Sequence, residues 1–228
     1  MKEWIRFNKG SNPLDLLNVV KDNNVWNLTR EEFYNVLDKN DVLFFLVEKK
    51  VKLMVYVNGV KVTGVFGFGE NANVEDEYLN DLKLKLMNFK DNREYMEKVN
   101  NLINFAPIYK KFKNDEELTK SDLEIVYQVK KELKAFTGVT EEKMNEIISA
   151  RNAYGDLAEI FGVEVSEVAL NVDEVNEDTK VLKGNLSVFS DNVDDYKSIE
   201  YVIGHVYLES KKLKTIIHIK SAWTIEEL

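Results

Sequence analysis

The run VTGVFGFGE, Val62 to Glu70, interleaves Phe66 and Phe68 with Gly64, Gly67 and Gly69, and Trp26 stands beside asparagines at 23, 24 and 27. Aromatic faces can hold a base flipped out of a nucleic acid, worth about 1–3 kcal/mol per base, while amide side chains read its edge. Glycine inside a strand marks a bulge or a close approach by a backbone or a ligand. Lys52 and Lys61, on adjacent predicted strands, are placed to meet phosphates. Trp26, Asn27, Gly64, Phe66, Phe68, Lys52 and Lys61 therefore form a candidate base-recognition set. A plainer reading makes Phe66 and Phe68 core residues of a small curled sheet whose glycines accommodate its bending.

Three other constellations invite chemistry and carry less. Ala158, Gly162, Val163 and Val168 have the spacing of a helix-turn-helix, but the second helix would present Glu164 and Glu167 to phosphates with no Lys or Arg. Glu209 and Lys211, preceded by Asp191, Asp194 and Asp195, echo a magnesium-dependent nuclease set, yet they fall at a predicted hairpin turn. His205 and His218, the only histidines, would face each other if the turn were at 211–212, without a third ligand in clear register. Glycine-rich phosphate loops, dinucleotide fingerprints and serine nucleophile elbows are missing from the sequence. The expectation is a non-catalytic protein with no cofactor and no metal.

The elements that must position these residues follow from pattern. The 228 residues contain no cysteine, which excludes a disulfide framework, a thiolate zinc site and a cysteine nucleophile. The apolar share of 44% and charged share of 31% are those of a folded globular chain. The longest apolar run, VLFFLV at 42–47, is far short of the roughly 20 residues of a membrane helix, and the opening residues lack a signal-peptide core. A cytoplasmic protein with no membrane partner is expected. The net charge of −9 is uneven: residues 1–113 balance at +2 and residues 114–228 at −11. The first half could face a polyanion, and the acidic second half suits a basic protein partner.

EWIRF is expected as a strand, with a helix after the Asn12 cap and Pro13 bearing Leu14, Leu17 and Val20. A second helix follows the capping-box pair Thr29 and Glu32. Residues 42–89, including LNDLKLKLMNF, are expected as a mostly antiparallel sheet, with the Asn58–Gly59 pair turning a hairpin. A helix bearing Tyr95, Val99, Leu102 and Ile103 should stop at Pro107. The polar stretch Lys110 to Asp122 suggests a boundary, giving domains at 1–118 and 119–228. Helices are expected at about 121–136 and 140–161, and alternating runs predict a closing antiparallel meander.

In that order, an opening W-I strand, NNVW after a helix, LDKNDVLFFLV, GVFGFGE, and INFAPIYKKF after a helix, the first half resembles the EVE domain of the PUA-like superfamily, which includes the YTH domains. The resemblance implies a sheet curled into a small barrel with peripheral helices. It further implies a reader of modified bases in DNA or RNA, as found in modification-dependent restriction and defence systems. It places Trp26 as a pocket wall, Asn27 at a main-chain contact to the base, and Gly64 at the family's strand glycine. The bulky GVFGFGE run and the lack of a YPYR-like stretch depart from that pattern. The expected architecture is α+β. The expected function is nucleic-acid recognition, with an acidic protein-interaction module and a metal-dependent nuclease as alternatives.

Overall fold

The computed structural model describes residues 1–21, 30–189, 196, 198–209 and 218–220. The architecture is α+β, as expected, and it divides into two compact units: Met1–Pro107 with Lys134–Glu142, and Ile108–Leu133 with Lys143–Leu228.

The first unit is built on a four-stranded antiparallel sheet in the order β1 (Lys2–Phe7), β2 (Asp41–Val47), β3 (Lys50–Asn58), β4 (Lys61–Gly67). One face packs Leu43, Phe45, Leu53 and Val55 against α3 (Leu79–Leu86) and the first turns of α4 (Arg93–Lys113). The other packs Val42, Phe44 and Met54 against Leu16 and Val20 of α1 (Pro13–Val20) and Phe33 and Leu37 of α2 (Arg30–Leu37). Burial on both faces explains why VLFFLV is continuously apolar instead of alternating.

Among the described residues the sheet is open, with β1 and β4 as its outer strands, so the expected barrel is corrected. A helical layer on each face leaves no interior for a barrel to enclose. The segment that could have extended the sheet, LNDLKLKL, is α3. Its alternating LKLKL looks like a strand, but Leu79, Leu82 and Leu86 fall at helical spacing and are all buried. Two further corrections are local. Pro107 lies inside α4 instead of ending it, and α1 buries Leu16 and Val20 while Leu14 is exposed. The Asn12 cap itself is as expected, its side chain accepting a hydrogen bond from the Leu14 N–H at 3.1 Å. Thr29 of the expected capping box lies outside the described residues.

The second unit contains α5 (Lys120–Val126), most of α6 (Val139–Ser149), α7 (Ala153–Phe161) and strands β5 (Val168–Ala169), β6 (Val181–Lys183), β7 (Leu186–Phe189), β8 (Tyr201–Ile203), β9 (His205–Glu209) and β10 (His218–Lys220). The expected antiparallel meander is corrected. Strands β5, β6 and β8 pair in parallel, as do β7 and β9, and among the described residues only β10 runs antiparallel, to β9. Alternation reports which residues face inward and is silent on strand direction. The chain between Phe189 and Tyr201 is long enough to bring the next strand back to the same end.

Residues 181–189 and 201–209 form one ribbon at a constant offset, with Val181 opposite Tyr201 and Leu186 opposite Val206. It kinks at Gly184 and Gly204, whose φ values are 159° and 151°. The Gly184 N–H donates to the Ile203 carbonyl at 2.9 Å, and a Cβ on Gly204 would lie 2.2 Å from the Gly184 oxygen. Only glycine fits that crossing.

Glu48 and Lys49 join β2 to β3 as a two-residue loop with φ values of 51° and 68°. Two positive values define the type I′ turn, which favours Asn-Gly. A side chain in this region costs about 1 kcal/mol or more. The double substitution Glu48→Asn, Lys49→Gly should raise stability by about 1–2 kcal/mol, read as a higher urea midpoint at unchanged slope; an unchanged midpoint would remove the turn-strain argument.

At the other end of β2, Asp41 pairs with Arg6 and accepts the Lys9 N–H at 2.7 Å. Burial opposes its ionisation, but Arg6 and the Lys9 N–H outweigh burial and hold the carboxyl below its usual value. The stabilisation is therefore present at neutral pH and is lost as pH falls below about 4. Asp41→Asn should cost about 2 kcal/mol at pH 7, and the gap to wild type should close on acidification through that window.

Candidate functional site

Residues expected to receive a base are distributed over the first unit. The rings of Tyr56 and Phe66, both half-buried, meet in a tilted contact with centroids 4.8 Å apart and planes inclined by 53°. Tyr56 is the cross-strand partner of Gly64, and a Cβ there would lie 2.7 Å from the Phe66 ring and 3.0 Å from the Tyr56 ring. The two aromatics thus close over a glycine of an outer strand, the arrangement by which an aromatic neighbour makes good the missing side chain. Burial, with a contribution from the Glu32 carboxylate, pushes the Tyr56 phenol well above its usual pKa, so it stays a neutral donor.

Phe68 is buried at 7% exposure against Met54 and Phe33, so of the two phenylalanines it is Phe68 that belongs to the core. Gly67 and Gly69 make room for the chain itself. A Cβ on Gly67 would lie 1.9 Å from the Asn73 carbonyl oxygen, and one on Gly69 2.9 Å from the same atom. The Gly69 N–H donates to that carbonyl at 3.0 Å, closing a turn in which Asn71 and Ala72 both have positive φ.

Lys52 is the extra residue where the β2–β3 register shifts, and it reaches Glu75 at 3.1 Å with its ammonium 5.4 Å from the Tyr78 ring centre. Burial disfavours its charge, but Glu75 prevails and holds the lysine above its usual pKa. Lys61 is 63% exposed, 4.0 Å from Asp91. Trp26 and Asn27 lie outside the described residues, as do Asp191, Asp194, Asp195 and Lys211. The helix-turn-helix spacing does not give two helices: α7 ends at Gly162, with φ 71°, and a three-residue 3-10 turn and β5 follow. His205 pairs with Lys220 and His218 with Tyr207, so the two histidines are offset by two positions and do not oppose each other. Among the described residues no three acidic or histidine side chains group as a metal site.

A cavity of about 450 Å³ lies within the second unit, walled by the end of α5, the loop after it, α6, and the β6–β8 pair. The wall begins with a helix stop. The Gln128 N–H donates to the Ile125 carbonyl and the Val129 N–H to the Glu124 carbonyl, a Schellman motif with Gln128 at the position usually given to glycine, φ 55°. The Gln128 side chain then accepts the Leu133 N–H at 2.8 Å, holding the loop in shape.

Tyr127 in this wall donates its hydroxyl to Asp156 at 3.0 Å, and Arg151 grips the same carboxylate with two bonds of 2.8 and 2.7 Å. Asp156 is only 6% exposed, and this fork supplies the buried carboxylate with its hydrogen-bond partners and counter-charge. Burial and the Asp156 charge push the Tyr127 phenol far up, fixing it as a donor. Lys183, the last residue of β6, places its ammonium 5.3 Å from the Tyr127 ring centre, and burial holds it below the usual lysine pKa. These residues were not singled out in the sequence. The available signal was a lysine ending the apolar run VLK before a glycine.

No protein-family profile, curated protein or solved structure matches this chain. The likeness to EVE and YTH domains accordingly rests on the short motifs quoted above. Among the described residues no helix is long and apolar enough to cross a membrane.

The glycine contacts separate two roles for the GVFGFGE run. Gly67→Ala drives a methyl group into backbone and should cost about 3 kcal/mol. Gly64→Ala meets only ring edges that can turn, and should cost about 1 kcal/mol while changing the near-ultraviolet circular dichroism of Tyr56 and Phe66. Equal unfolding midpoints for the two variants would contradict this assignment.

Proposed function

We propose that this chain is a non-catalytic nucleic-acid-binding protein that takes a flipped or modified base against the aromatic pair Phe66 and Tyr56, with Trp26 the further stacking residue to be tested. The observation that supports the reading is the half-buried Tyr56–Phe66 pair, in tilted contact over Gly64. The face of the sheet to which these rings belong also packs α1 and α2, and the sequence joining those helices contains Trp26 and Asn27. Lys61, exposed on the outer strand, is available to a phosphate. Lys52 and Phe68 are assigned to structure, through Glu75 and the core. With a net charge of −9, affinity must come from stacking more than from phosphate contacts, so binding should depend weakly on salt.

The test is titration with short DNA and RNA oligonucleotides carrying unmodified, methyl-adenine or methyl-cytosine bases, at low and physiological salt. Wild type should prefer one modified ligand. Trp26→Ala and Phe66→Leu, checked for folding by thermal melting, should each lose about tenfold or more, corresponding to 1.4 kcal/mol or more of stacking. Binding that is absent for every oligonucleotide, or unaffected by both substitutions, overturns the proposal.

A further inference from the structure

The second unit holds a cation that the first unit's reading does not use. Lys183 stands in the wall of the 450 Å³ cavity, a volume within the range of small-molecule sites. Among the described residues no carboxylate pairs with it and no acceptor takes its hydrogen bonds; its recorded partner is the face of Tyr127. That ring is fixed, because its hydroxyl is committed to Asp156 and Asp156 to Arg151. Lys130 in the same wall is already paired with Glu124 at 2.5 Å. The charged lining comprises Lys130, Lys131 and Lys183 with one carboxylate, Glu132. The remaining wall sets the apolar side chains of Val126, Val129, Ile148 and Val202 beside Gln128 and Asn145.

We propose that this cavity binds a small organic anion, its phosphate or carboxylate head on Lys183 and its apolar body between Val129, Ile148 and Val202. A partly buried ammonium without a counter-charge is costly, and an anion arriving with it relieves that cost while the apolar walls select against a bare inorganic ion. Depression of the Lys183 pKa by burial agrees with an ammonium that has no carboxylate beside it. The two candidate heads share one chemistry, and the experiment separates them.

The full chain is titrated by calorimetry with phenyl phosphate, benzoate, benzyl alcohol and inorganic phosphate. One saturable site is expected for phenyl phosphate or benzoate, the tighter of the two naming the head group, with benzyl alcohol and inorganic phosphate at least tenfold weaker. Lys183→Arg should retain binding, Lys183→Met should lose about tenfold or more, and Ile148→Trp should block the site. Should Lys183→Met fail to fold, the lysine Cε resonance that is missing from Lys183→Arg must shift in wild type on titration. Trp26→Ala should bind these ligands as wild type does, which keeps this outcome separate from that of the oligonucleotide experiment. Absence of saturable binding by both organic anions, binding unchanged in Lys183→Met, or equal binding of benzyl alcohol or inorganic phosphate would overturn the proposal.

Discussion

Burial of β2 and β3 on both faces is the constraint on which the first unit depends. Phe44 and Phe45, adjacent in sequence and both almost fully enclosed, point to opposite layers and oblige the chain to supply helices on each side. Helices α1 and α2 answer Phe44, and α3 with α4 answers Phe45. Once both faces are covered the sheet has no reason to curl shut, and its outer strands must be handled locally. On β4, Tyr56 and Phe66 lie over Gly64, and Asp91 bonds to the backbone of Val60 and Val62 along the free edge. The aromatic pair offered for recognition is thus a by-product of how an outer strand is finished.

The second unit solves its packing differently. Its core residues Leu182, Leu186, Val202 and Val206 belong to two segments, 181–189 and 201–209, running the same way, and the pair bends where neither segment has a side chain. The bend at Gly184 fixes the end of β6, and so fixes where Lys183 projects. The cavity's electrostatics follow from a backbone crossing and from the Asp156 fork that immobilises Tyr127. Shape and charge there have separate origins in the chain.

Elements with a local cause were legible in the sequence. The Asn12–Pro13 cap, the strands at 2–7 and 41–67 and the stripe on α4 each follow from residues close together in the chain. Errors arose where long-range packing decided. LNDLKLKL fits two periods, and burial of Leu82 and Leu86 selects the helical one. Pro107 sits in a helix whose neighbouring turns are held by packing, with Phe105 and Ile108 both buried. Strand direction after Val168 could not be read because alternation is the same in parallel and antiparallel pairs. For the candidate site, the glycines of GVFGFGE announced a close approach correctly, but the approaching group at Gly67 is Asn73 of the same chain. The Lys183 cavity gave almost no signal, since its walls come from segments far apart in sequence.

The fixed offset of the 181–189 and 201–209 ribbon governs which changes of length the chain tolerates. One residue inserted on either side of a single glycine would bring a side chain to a crossing where a Cβ lies only 2.2 Å from a backbone oxygen, and would turn inward-facing positions outward beyond it. Matched insertions in both segments, or changes confined to the stretch between them, leave the crossing aligned. Length variation among descendants of this sequence should therefore appear in pairs across the ribbon or not at all, a grammar of insertions set by two missing methyl groups.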